Sequence, residues 1–122
     1  MKGGILLFLA LQDYCKYLGY KVDCTHDLHE NVMADVFLSR NLIRVKLKLP
    51  IKKQCLALIH EIGHIKAYKK YNRRDERSAV AEGWSFISVN KINFVTLKEW
   101  CEFNSYSIKQ EIKERKEVIH ND

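Results

Sequence analysis

Residues 56–70 read LALIHEIGHIKAYKK, and the interpretation of this stretch decides the rest of the chain. Two histidines and a glutamate interrupt an otherwise apolar run. An unpartnered polar group in an apolar interior costs several kcal/mol (about 2–7), so His60, Glu61 and His64 need either a bound metal or ordinary core hydrogen bonding. His60 and His64 stand four positions apart. On a helix that spacing puts both imidazoles on one face, one turn apart, with Glu61 beside them. This is the H-E-x-x-H arrangement, with two zinc ligands and a carboxylate able to take a proton from a water. Gly63, inside the motif, costs about 1 kcal/mol of helix propensity relative to alanine. A glycine is expected there if another backbone or a substrate must approach closely.

Outward from this helix, the chain organises itself around it. Pro50 opens the helix, where its missing N–H is not needed, and the apolar character on nearly every side marks a central buried helix reaching about Tyr71. Before it, MADVFLSRNLIRVKLKLP holds two strands joined by a Ser-Arg-Asn turn. In the second strand, Ile43, Val45, Leu47 and Leu49 alternate with Arg44, Lys46 and Lys48, giving one buried and one wet face. The stretch YKVDCTHDLHEN reads as a loop. Residues from about Gly4 to about Leu18 form a first helix that stops near Gly19. After the turn NRRD, a helix covers roughly Asp75 to Asn90. The remainder reads as two shorter helices split near Asn104, the last opened by Ser107 and Gln110 as a capping box. The expectation is a helix-rich α+β single domain over 1–122, with a small antiparallel β-hairpin or sheet packed on the central HExxH helix, a minimal zincin fold.

Composition narrows the class. The chain has 122 residues, 47% of them apolar, with one proline and five glycines, which suits one folded domain with a real core. A net charge of +6 allows acidic partners, but the lysines and arginines are spread along the chain, so direct nucleic-acid binding is not expected. The segment KEWCEFNSYSIKQEIKERK could pass for a helix-turn-helix, yet its glutamates would repel phosphates. It reads instead as packing helices anchored by Trp100, Phe103, Tyr106 and Ile108. Cys15, Cys24, Cys55 and Cys101 form no C-x-x-C pair, and a reducing, cytoplasmic setting is the simplest context. The apolar N-terminus runs straight into an amphipathic segment and is too short to span a membrane, so it reads as a core helix rather than a signal or anchor. Cys24, His26 and His29 are ligand types in a polar loop without a fourth partner, a weak case for a second metal.

A zinc site needs a third protein ligand. If the helix after the NRRD turn returns antiparallel, at ~1.5 Å per residue it regains the level of His64 near residues 81 and 82. That favours Glu82, set among Val80, Ala81, Trp84, Phe86 and Ile87. Glu76 is the rival, set nearer the turn.

HEIGH followed after seventeen residues by EGW resembles the gluzincin metallopeptidases. More narrowly, IRVKLKLP, LALIHEIGHI, AEGWSF and LKEWCEFNSYSIKQEIKERK, in this order, resemble the ImmA/IrrE-type zinc metallopeptidases from about Tyr20 onward. The resemblance implies His60, His64 and Glu82 as ligands of one Zn2+ per chain and Glu61 as the general base. It also implies hydrolysis of peptide bonds in a protein substrate, such as a DNA-binding repressor of a phage or other mobile element. The chain departs from the family pattern in having VNKIN, without proline, after the second helix, and in the short stretch before the hairpin. For substrate contacts, the strand carrying Val45 and Leu47 is a candidate edge for an added peptide strand. Tyr68, Tyr71 and Arg77 are neighbours from which an oxyanion stabiliser could come. The alternative reading is a non-proteolytic binding module that keeps the fold, and with it the metal, and sequesters a regulator or contacts nucleic acid.

Overall fold

The computed structural model describes residues 2–30 and 32–105. The first helix, α1 (Lys2–Tyr17), buries Phe8, Leu11 and Cys15 along one stripe. It ends where Gly19 takes a left-handed φ of 89°, and Tyr20 N–H donates to the Cys15 carbonyl at 2.9 Å, a closing hydrogen bond that needs this backbone. Among the described residues no helix is long and apolar enough to cross a membrane.

Three strands follow: β1 (Lys21–Thr25), β2 (Ala34–Phe37) and β3 (Leu42–Lys46), in the spatial order β1-β3-β2. The β2–β3 hairpin is the one expected from the sequence, with Asn41 in the left-handed region at its turn. The first strand is a correction. Lys21–Thr25, read as part of a loop, pairs parallel to β3, so the sheet is mixed rather than a plain hairpin. Its period-two alternation of Val22 and Cys24 with polar neighbours is too short to stand out in the sequence, and the pairing with β3 supplies its backbone hydrogen bonds.

A second correction follows from the same topology. Because β3 lies between β1 and β2, it offers no free edge for a peptide. Its Ile43 and Val45 are fully buried, while Leu47 falls beyond the strand and is exposed. Arg44 bonds Asp35, its register partner on β2, through two hydrogen bonds of 2.9 and 2.5 Å.

The central helix α2 (Ile51–Tyr71) starts after Pro50 and ends at Asn72, whose backbone is left-handed. Cys55, Leu58, Ile59, Ile62 and Ile65 are all fully buried in it, each isoleucine or leucine contributing about 1.5–3 kcal/mol by burial. The next helix, α3 (Glu76–Val89), is capped by Asp75, which accepts from Ser78 N–H at 2.9 Å. A further helical stretch, α4, runs over 97–105 to the end of the described residues. Thr96 and Glu99 form a reciprocal capping box at its start, with bonds of 3.0 and 3.1 Å. Trp100 and Phe103 are buried as anticipated, and α4 continues through Asn104. The second tail helix, its Ser107–Gln110 cap, Tyr106 and Ile108 lie outside the described residues.

Helices α2 and α3 meet at two glycines. A Cβ on Gly63 would collide with the Ala79 carbonyl oxygen and crowd Gly83 N, and a Cβ on Gly83 would collide with the Trp100 ring. Glu76 contacts the α2 face that carries His60 and His64, whereas Glu82 contacts Lys70 and Phe86 lies under Lys66. Gly63 against Ala79, and Gly83 near the Ile59 carbonyl, are thus the points of closest approach between α2 and α3.

Candidate metal centre and cleft

His60 and His64 project from the same face of α2, their ring centroids 4.9 Å apart. The Glu76 carboxylate bridges them. His60 Nε2 donates to Glu76 Oε2 at 2.6 Å and His64 Nε2 donates to Glu76 Oε1 at 3.0 Å. Ligand atoms of His60, Glu61 and His64 also lie within 4.8 Å of one another, a group able to hold a metal ion.

The remaining nitrogen of His60 is held from behind. Asn104, 2% exposed, donates through Nδ2 to the Trp100 carbonyl at 2.7 Å. Its Oδ1 therefore faces His60 Nδ1, 2.5 Å away, and can only accept. His60 thus carries a proton on Nδ1 and directs Nε2 at Glu76.

The electrostatics agree with that geometry. Burial works to lower the His60 pKa, but the Glu76 hydrogen bond and the negative charges of Glu61 and Glu76 outweigh it and raise it to about 9. The same opposition leaves His64 raised as well. Burial pushes Glu61 upward, against the two histidines that pull it down. Without a metal, protons on the two Nε2 atoms answer the Glu76 carboxylate. A divalent cation in their place would satisfy the same three groups with the same sign of charge. Two imidazoles and one carboxylate are a donor set that fits zinc, and on this ground the residues present suit such an ion.

Sequence spacing had favoured Glu82 over Glu76, and here the structure differs. Glu82 pairs with Lys70 at 3.1 Å on another face of α2. The reason is the connection. His64 lies seven residues before the end of α2, about 10 Å back along a helix rising ~1.5 Å per residue. Residues 72–75 are irregular backbone rather than helix, and extended chain covers up to ~3.3 Å per residue. The connection is long enough to cover that distance, and Glu76, the first residue of α3, stands level with the histidines.

A cleft of about 690 Å³ opens over these groups. One part of the lining is the run 32–39 that contains β2; the rest includes His60, Glu61, His64 and Glu76, together with Tyr68, Arg74 and Phe103. Of the substrate-contact candidates, Tyr68 lines the cleft. Val45 is sealed in the sheet, and neither Leu47 nor Tyr71 reaches the cleft; both are exposed elsewhere. Arg77 does not line it either, whereas Arg74, which sequence reasoning did not single out, does, its guanidinium 5.0 Å over the Tyr68 ring. Asn104 was also missed. The only available signal was its helical spacing from Trp100, which says nothing about a histidine forty-four residues away. Among the described residues Cys24, His26 and His29 form no converging group. Cys15 and Cys55 are buried thiols whose pKa values burial raises to about 12 and about 11.

Comparison with protein-family models, curated proteins and solved structures gave no match.

Proposed function

We propose that this chain is a zinc-dependent peptide hydrolase in which His60, His64 and Glu76 hold the metal and Glu61 is the general base. The observation that carries this reading is the Glu76 carboxylate bonded to Nε2 of both histidines at 2.6 and 3.0 Å. It completes the two-histidine, one-glutamate donor set of catalytic zinc sites, which leaves a fourth position for water or substrate. The H-E-x-x-H motif and the resemblance to ImmA/IrrE-type metallopeptidases support it independently, with Glu76 taking the role that the resemblance assigns to Glu82.

When bound, the ion would polarise a substrate carbonyl and acidify a water. The chain's own residues do the rest. Glu61, next to His60 on α2 and facing the cleft, is buried with a raised pKa, which suits a carboxylate that takes a proton from water and returns it to the departing amine. The edge strand β2 borders the cleft along its length and has no second strand partner among the described residues. An extended peptide laid against it would gain main-chain hydrogen bonds and bring its carbonyl between Glu61 and the ligand face. Arg74 and Tyr68 line the same cleft and are the candidates for a donor to a developing oxyanion. The substrate class is a protein segment able to extend, such as an exposed loop of a regulatory DNA-binding protein, and the setting is cytoplasmic.

The test is metal content per chain together with cleavage of a candidate repressor. About one zinc per chain, with hydrolysis lost in Glu61→Gln while the zinc stays, is the expected result. A folded wild-type chain that takes up no added zinc would sink the proposal.

A further inference from the structure

Behind the ligand face lies a buried chain of hydrogen bonds that the proposed chemistry does not itself use. Trp100, 1% exposed, donates its indole Nε1 to the Val80 carbonyl on α3 at 3.2 Å. Its own carbonyl accepts from Asn104 Nδ2 at 2.7 Å, and Asn104 Oδ1 meets His60 Nδ1 at 2.5 Å. The Trp100 ring also packs against Gly83, where only a hydrogen fits. One residue pair on α4 thereby touches α3, which carries Glu76, and α2, which carries the histidines. The amide cannot be flipped without setting Asn104 Nδ2 against a ring N–H and its oxygen against the Trp100 carbonyl oxygen.

We infer that Asn104 is a positioning residue for the metal centre: held in one orientation by the Trp100 carbonyl, it fixes the His60 ring and its Nδ1–H tautomer so that the Nε2 lone pair is presented to the ion. Free neutral imidazole has no such preference imposed on it, and a metal ligand whose far nitrogen is bonded binds more tightly for that reason. The inference rests on the metal reading above for its consequence, but not for its geometry, which is a property of the metal-free chain.

The experiment pairs zinc competition against a chelator with nitrogen NMR of the full chain, in wild type, Asn104→Ala and Asn104→Asp. Alanine removes the acceptor, and aspartate keeps it. The expected result is a zinc affinity lower by about 10–100-fold in Asn104→Ala, with Asn104→Asp holding tighter than the alanine variant. A merely structural asparagine predicts the reverse order for aspartate, which buries a charge and loses the bond to Trp100. Equal zinc affinity in Asn104→Ala and wild type overturns the inference, as does an Asn104→Asp affinity no better than that of Asn104→Ala. The NMR arm needs no variant to fold. Metal-free wild type should show a His60 Nδ1 proton protected from solvent exchange, held on Asn104 Oδ1. A His60 ring without a proton on Nδ1 overturns the inference outright. Wild type with the Nδ1 proton but no zinc uptake would instead sink the metal reading and leave the positioning of His60 standing.

Discussion

Gly63 of α2 lies against the Ala79 carbonyl oxygen of α3, closer than any side chain would permit. This contact sets where α3 packs on the central helix and so where Glu76, three residues earlier, meets His60 and His64. The helix-propensity cost of a glycine in the motif is offset by a close approach that delivers Glu76 to the two histidines. Gly63→Ala should therefore destabilise the protein by about 1–3 kcal/mol, the usual scale of overpacking, although alanine is the better helix former by about 1 kcal/mol. Urea unfolding measures the sign. A stabilised variant would mean that the helices do not meet as described.

The two glutamates of α3 separate cleanly. Glu76→Ala should lower zinc affinity by more than about 100-fold, since in the proposed site it deletes a ligand rather than a supporting group. Glu82→Ala removes only the bond to Lys70 and should change stability by less than about 1 kcal/mol with zinc binding intact. Elemental analysis of both variants after identical purification decides between them. Zinc lost in the second and kept in the first would restore the spacing-based assignment.

Glu61→Gln keeps the shape of the side chain and removes its basicity. Zinc content and thermal stability should stay close to wild type, while cleavage of a cognate protein substrate falls by at least about 10²–10⁴-fold, the usual contribution of a general base. Undiminished cleavage would remove Glu61 from the mechanism.

The metal-free chain should lose stability as the solution becomes alkaline. His60 has a folded pKa of about 9 against an ordinary value of 6.5. A raised folded pKa means that the native state holds the proton more tightly, so the contribution is complete below about pH 6.5 and is lost as pH rises through about 9. The raised pKa values of His64 and Glu61 act with the same sign. Urea midpoints measured in the presence of chelator should fall across that window. Zinc binding should run the other way, strengthening as pH rises, because the ligands must shed protons to bind. A midpoint that is flat from neutral to alkaline pH would contradict the histidine–Glu76 pairing.

Local pattern carried much of this protein. The four-residue spacing of His60 and His64, the apolar run around them, Pro50 and the alternation through Ile43 and Val45 are short-range features, because helix and strand periods are properties of adjacent residues. From them the central helix, the hairpin, the boundaries of α3 and the H-E-x-x-H face could be read directly, and Gly63 already implied a close backbone approach. Three things were settled only by the tertiary structure. Lys21–Thr25 becomes a strand because β3 offers it a pairing edge. Glu76 replaces Glu82 beside the histidines because the irregular connection 72–75 brings the start of α3 back to their level and α3 packs on α2 at Gly63. Asn104 reaches His60 because Trp100 docks α4 on Gly83. Each depends on the direction in which one element leaves another, and that direction is set by packing between residues far apart in the chain, which no local period records.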